Sequence, residues 1–135
     1  MIDCIFCKII AGELPSWKVY EDDHAVAFLD IHPVHEGHTL VVPKKHCTDF
    51  VSADENCLRS VIVATQKVAR AVLAATEAGG VNITTANGSV AGQSVFHLHW
   101  HVMPRFENDG FRLWPQSTYA DTGVELMASE IKKWI

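Results

Sequence analysis

Apolar and polar positions change period several times along the chain, and each change marks an element. Residues 4–11 (CIFCKIIA) read as a short helical turn, interrupted by Gly12 and Pro15. Residues 17–21 and 25–30 read as two strands that turn at Asp22-Asp23. A loop runs from His32 through Pro33 to Gly37, and residues 38–43 (HTLVVP) form the next strand. Ser52-Ala-Asp-Glu55 has the form of a capping box and opens the main helix. Leu58, Val61, Ile62, Thr65, Val68, Ala69 and Val72 make its apolar stripe, and Gly79-Gly80 is expected to end it. Residues 81–85 are a β-branched strand, residues 87–93 a glycine-containing loop, and a further strand runs over 97–104. Thr122-Gly-Val-Glu125 repeats the capping-box form before a C-terminal helix with Val124, Met127, Ile131 and Trp134 on one side. The sum is one α+β domain over 1–135: a mostly antiparallel sheet, one long helix and a C-terminal helix. Strand–helix–strand alternation is missing, and the loop ANGSVAGQS (86–94) lacks both GxGxxG and GxxxxGK.

The stretch 97–103, HLHWHVM, carries the chemistry. Side chains two apart on a strand share a face and lie about 7 Å apart along it. Leu98, Trp100 and Val102 are then expected to bury one face, while His97, His99 and His101 form a column on the other. Neighbouring imidazoles that are neutral near pH 7 suit metal binding or acid, base and nucleophilic work.

Composition narrows the class. The chain has 135 residues, 48% of them hydrophobic and 20% charged, which fits a soluble globular domain with a modest core. The net charge of -5 and the lack of a Lys/Arg run argue against a nucleic-acid partner. The longest apolar runs fall short of the ~20 residues of a membrane span, so no membrane partner is expected. The opening MIDCIFCKII is interrupted by Asp3 and Lys8 and is a poor signal peptide. A cytoplasmic location is expected, with Cys4, Cys7, Cys47 and Cys57 reduced.

Cys4 and Cys7 form a CxxC, a spacing that lets two thiolates reach one Zn²⁺. A thioredoxin-like redox pair would need a βαβ setting, and a local zinc finger would need a second nearby pair; the chain has neither. Cys47 is an alternative ligand, and Cys57 reads as a packing residue. His24, His32 and His35 fall in turns or loops and are expected in solvent.

HLHWHVM resembles the signature of the histidine-triad (HIT) family, in which histidines alternate with apolar residues. GQSVF (92–96), MPR (103–105), CIFCKIIAGELPS (4–16), AFLDIHP (27–33) and HTLVVPKKH (38–46) also match that family. The similarity covers residues 4 to about 112, and it points toward the Hint-like, zinc-containing bacterial branch.

The resemblance implies a homodimer whose two sheets join, with the long helix of each protomer at the interface. It implies a purine nucleotide ligand and cleavage at the α-phosphorus through a nucleotidyl-histidine. His99 matches the nucleophile, His101 the proton donor to the leaving group, and His38 a histidine that orients them. Gln93 and Ser94 match phosphate contacts, Asp30 the ribose acid, and Ile5, Phe6, Phe28, Leu29 and Ile31 the base pocket. Asn82 is a further polar candidate near the phosphates. Ala86 stands where many relatives carry Asn, and Asn87 beside it is the candidate replacement. His46 and His97 match the remaining ligands of a Cys4/Cys7/His46/His97 zinc site. Four protein ligands leave no open position, so such a zinc would be structural.

The reaction so implied is hydrolysis of an adenosine phosphoramidate or related adenylate to AMP. The same strand serves cleavage of diadenosine polyphosphates. A nucleotidyl transferase fits less well, because the uridylyltransferases carry His-Pro-His and this chain has His99-Trp-His101. A nucleotide-sensing module without turnover and a pure metal-binding protein are the rivals from other classes.

Overall fold

The computed structural model describes residues 3–135. Met1 and Ile2, part of the opening read as a poor signal peptide, lie outside the described residues. The elements are α1 (Ile5–Ile10), β1 (Lys18–Glu21), β2 (Ala25–Leu29), β3 (Thr39–Pro43), α2 (Glu55–Thr76), β4 (Gly80–Thr84), β5 (Trp100–Arg105) and α3 (Gly123–Lys132). The strands form one sheet in the order β1-β2-β3-β5-β4, with every neighbouring pair antiparallel.

Two cores sandwich this sheet. Ala25, Ala27, Val41, Leu98 and Val102 pack against Val61, Ala64, Val68 and Val72 of α2. Val26, Phe28, Leu40 and Val42 pack on the other side with Phe6 and Ile9 of α1. Both faces of β2 and β3 are therefore covered, which explains their nearly unbroken apolar runs. Each fully buried Val or Leu contributes roughly 1.5–3 kcal/mol.

The ends of α2 differ from expectation. Its N-cap is Asp54, whose carboxylate accepts from the Cys57 amide at 2.9 Å. The Ser52 hydroxyl and amide both donate to Asp49 Oδ1 instead, at 2.8 Å. At the C-terminus Glu77, not glycine, adopts the left-handed conformation, with φ 53°. The glycines are taken up by the sheet: Gly79 N–H donates to the Arg105 carbonyl at 3.1 Å, and Gly80 starts β4 opposite Arg105. Ile62 leaves the expected stripe and is 45% exposed, because it lies about a quarter turn off the Val61–Thr65–Val68–Val72 row.

The C-terminal helix also departs from expectation. Thr122 makes no side-chain cap, and none of the α3 residues is buried. Val124, Met127, Ile131 and Trp134 are all exposed.

A polar knot fixes the far end of β5. Arg105 grips Asp109 with two hydrogen bonds, of 2.6 and 2.9 Å, and also donates to Asn82 Oδ1 at 2.6 Å. The guanidinium holds the Asp109 carboxyl far below the usual carboxylate range. His35, expected in solvent, packs edge-on against Phe106 and Phe111 and lies 3.3 Å from Asp109.

Candidate active site and metal centre

Pairing in β5 begins only at Trp100, so His97 and His99 precede the regular strand rather than belonging to it. The alternation survives because other bonds hold this segment extended. Leu98 N–H donates to the Cys47 carbonyl at 2.6 Å, and Thr85 Oγ1 donates to the His99 carbonyl at 2.8 Å. Leu98 and Val102 are buried toward α2, with half-buried Trp100 against the same core. His97 and His99 both meet the Phe6 ring of α1, at centroid distances of 5.9 and 5.2 Å. The His99 and His101 rings lie 5.0 Å apart. The column of imidazoles therefore exists, on the α1 side of the sheet.

The bonds around these rings assign their protons. His99 Nδ1 lies 2.7 Å from the His97 carbonyl, an acceptor, so Nδ1 carries the proton. Its Nε2 is left with a free lone pair. The Val34 amide donates to His38 Nδ1 at 3.1 Å, which puts the His38 proton on Nε2. That Nε2–H faces His101 Nδ1 at 2.9 Å. His101 Nδ1 is then the acceptor, and its remaining proton sits on Nε2. Asp30 Oδ2 stands 3.6 Å from His38 Nε2, while Asp30 Oδ1 accepts from the His32 amide at 2.8 Å.

Burial disfavours charge on His101 and His38. It pushes His101 down to about 4, helped by the neighbouring His99 and His38 and opposed by Asp30. Burial lowers His38 as well, again against Asp30. His38 and His101 both favour the neutral form until an anion enters.

Gly37 sets the position of His38. Its φ is 95°, a conformation that L side chains rarely adopt, and a Cβ there would sit 2.6 Å from Thr76 Cγ2. The chain turns against the end of α2 at this glycine and delivers His38 to the start of β3.

A cavity of about 380 Å³ opens beside the rings. Ser94, His99 and His101 line one side. Ile5, Phe6, Phe28, Leu29, Asp30 and Ile31 line the rest, so every residue expected at a base pocket reaches one space. Trp17, Leu14 and His32 also line it. Trp17 and Leu14 were not expected here, since nothing local distinguishes a rim residue from an exposed one, while His32 is exposed as expected and sits at the rim.

Three expected phosphate contacts are engaged elsewhere. Gln93 is buried; its Oε1 accepts from the Gly88 amide at 2.8 Å, and its Nε2 donates to the Thr48 carbonyl at 2.8 Å. It braces the loop that presents Ser94. Asn87 Oδ1 accepts from the Phe50 amide at 2.8 Å. Asn82 is held by Arg105, outside the cavity lining. Each carboxamide takes the nearest unpaired backbone or guanidinium group, which sequence spacing does not reveal. Thr85 was missed as the support of His99 for the same reason.

Cys4, Cys7, His46 and His97 converge, with their ligand atoms all within 4.8 Å of one another. Cys4 caps α1 and Cys7 lies in its first turn, so one turn aims both sulfurs the same way. Cys4 Sγ lies 3.4 Å and Cys7 Sγ 3.6 Å from His97 Nδ1, and Cys7 Sγ lies 3.3 Å from His46 Nδ1. A tetrahedral zinc with ordinary bond lengths puts sulfur and nitrogen ligands about 3.5 Å apart, so these residues fit the ion. His97 Nε2–H donates to the Pro43 carbonyl at 2.8 Å, which turns the Nδ1 lone pair toward the thiols. Burial holds His97 neutral, down to about 4, opposed by that hydrogen bond. Burial and then the Cys4 sulfur push the Cys7 thiol up. Cys47 is not in this group: it packs in the α2-side core against Cys57.

An antiparallel sheet flanked by one long helix, with alternating histidines aimed into a pocket, defines the histidine-triad class. Residues 11–108 match the HIT domain family model, and the chain belongs to that family. It is 52% identical over 113 residues to an uncharacterized HIT-like protein of Borreliella burgdorferi, covering 82% of this chain and 81% of that protein. It is 38% identical over 107 residues to adenylylsulfatase HINT3 of Arabidopsis thaliana, covering 79% of this chain and 54% of that protein. Among solved structures it resembles a HIT family member from Bacillus subtilis, with TM-score 0.92, 43% identity, and 99% and 98% of the two chains covered. A Zn-bound histidine triad family protein from Mycobacterium smegmatis matches with TM-score 0.78, 33% identity and 98% of each chain covered.

Proposed function

We propose that this protein is a purine nucleotide hydrolase that cleaves an adenosine phosphoramidate or a related adenylate to AMP. The observation that carries this reading is the His99 Nδ1–H bond to the His97 carbonyl, which leaves Nε2 as a nucleophile. In the first step Nε2 attacks the α-phosphorus, forming a phosphorus–nitrogen bond. The anionic substrate favours one added proton on the hydrogen-bonded His38–His101 pair, and this cation gives its His101 Nε2 proton to the leaving amine or oxyanion as the old bond breaks, leaving the pair neutral. Water then attacks the nucleotidyl-histidine, losing a proton to His101 and releasing AMP. His38 keeps His101 in the required tautomer.

The apolar wall of Ile5, Phe6, Phe28, Leu29 and Ile31 suits a purine, and Asp30 suits ribose hydroxyls. Ser94 remains the phosphate candidate. Gln93 and Asn87 serve by shaping the loops, and Asn82 lies apart. Adenylyl sulfate is one such related adenylate, since a relative carries the name adenylylsulfatase.

Zinc at Cys4, Cys7, His46 and His97 is the second part of the reading. It is supported by the fit of the donor atoms and by the Zn-bound relative. The ion would cross-link α1, the end of β3 and the histidine segment, and would take no part in the chemistry. A homodimer is the third part. The outer edge of β4 has no strand beyond it in this sheet, and Ile62 and Val63 of α2 are 45% and 52% exposed. A cytoplasmic location accords with four cysteines that are free thiols. No helix among the described residues is long and apolar enough to cross a membrane.

The test is AMP release from adenosine phosphoramidate, adenylyl sulfate and a diadenosine polyphosphate, with acid-quenched intact mass to catch the adenylylated enzyme. Release that needs His99, with an AMP adduct on the wild type, is expected. AMP binding without release from any of the three would leave a nucleotide-sensing module instead.

A further inference from the structure

Cys47 and Cys57 meet in the core between the sheet and α2. Their Sγ atoms lie 2.6 Å apart, against about 2.05 Å for a disulfide bond. The two positions are ten residues apart in sequence and belong to different structural units. Cys47 follows His46 on the segment after β3, and Cys57 stands in the first turn of α2. The metal-ligating pair, Cys4 and Cys7, lies on the other side of the sheet with the α1 core. Both sulfurs are largely buried, yet Cys57 also lines an open cleft of about 740 Å³, with Lys45, Asp54 and Arg59 at its walls. A small reagent therefore has a route to the pair.

The same segment supports the histidine stretch. The Cys47 carbonyl accepts from the Leu98 amide, between His97 and His99, at 2.6 Å. The next carbonyl, Thr48, accepts from Gln93 Nε2 at 2.8 Å. Residues 46–48 thus carry one proposed metal ligand and brace both the phosphate loop and the triad.

We propose that Cys47 and Cys57 are a reversible thiol–disulfide site, oxidised by a low-molecular-weight disulfide, and that the bond fastens the 46–48 brace to α2. One cysteine thiolate attacks the small disulfide, forming a mixed disulfide and expelling one thiol. The other cysteine thiolate attacks the first cysteine's sulfur in that mixed disulfide, forming the Cys47–Cys57 bond and expelling the small group as the second thiol. The two protons lost by the cysteines end on the two released thiols, and the two electrons reduce the small disulfide.

The test treats the full-length, metal-replete protein with oxidised glutathione and maps every cysteine by peptide mass. A loss of two hydrogens located to a Cys47–Cys57 cross-link is expected, reversed by dithiothreitol. The oxidised protein should show a thermal midpoint raised by about 5 °C and about tenfold slower exchange of the Leu98 amide. Cys57→Ser should abolish the cross-link; Cys47→Ala serves as a second variant, and the wild-type map stands without either. Oxidation that leaves Cys47 and Cys57 as free thiols would overturn the site. A cross-link with unchanged Leu98 exchange would overturn its coupling to the histidine stretch.

Discussion

His38 and His101 share one hydrogen bond, 2.9 Å from Nε2 to Nδ1, and its direction is set by the Val34 amide on the far side of His38. A backbone donor thereby decides which nitrogen of His101 faces the cavity with a proton. His38→Ala should lower kcat about 10- to 100-fold, less than the 10²–10⁴ expected on removing the acid itself. His38→Asn, which keeps a donor, should recover part of the loss. Steady-state kinetics of the three proteins checks this, and equal rates for wild type and His38→Ala would remove the positioning role of His38.

His99→Ala should reduce AMP release by a factor on the order of 10³ or more, because the proposed two-step route through a covalent intermediate would be lost. Nucleotide affinity should change by less than about tenfold, since the apolar wall is untouched. Titration of AMP by calorimetry separates the two effects.

Acid should weaken the fold through His101. Its ordinary value near 6.5 falls to about 4 in the folded protein, chiefly by burial. The unfolded chain therefore binds the extra proton first. The stabilising contribution is complete above about 6.5 and is lost progressively as pH falls toward 4. Urea midpoints between these values should decline in wild type and decline less steeply in His101→Gln.

Chelation should lower the thermal midpoint, and Cys4→Ser should bring zinc content well below one equivalent. Thermal melts with and without chelator check the first, and elemental analysis checks the second. A full equivalent of zinc in Cys4→Ser would sink the four-ligand site.

The α2 cap separates two readings of one motif. Asp54→Ala should cost about 1 kcal/mol by losing the Cys57 amide bond. Ser52→Ala should cost less, since its hydroxyl serves only the Asp49 turn. Chemical denaturation measures both. Leu98→Ala, at a side chain 1% exposed, should cost about 2–5 kcal/mol by the same assay.

Much of the architecture was legible in the sequence. The apolar runs of β2 and β3, the row from Val61 to Val72 and the alternation from His97 to Val102 are short-range patterns, and burial imposes them directly on neighbouring residues. The CxxC was visible for the same reason, because one helical turn brings its two sulfurs together. Tertiary structure decided what depends on distant backbone. Cys4 meets His97 across 93 positions, and only the sheet and α1 bring them within 3.4 Å. The Nδ1 proton of His99, the turning of Gln93 toward Thr48 and the Cys47–Cys57 contact all depend on which polar group the fold places nearby. A linear pattern records which side chains prefer burial. It does not record which donor or acceptor will lie within 3 Å of them, and in this protein that second fact chooses which nitrogen of His99 is free.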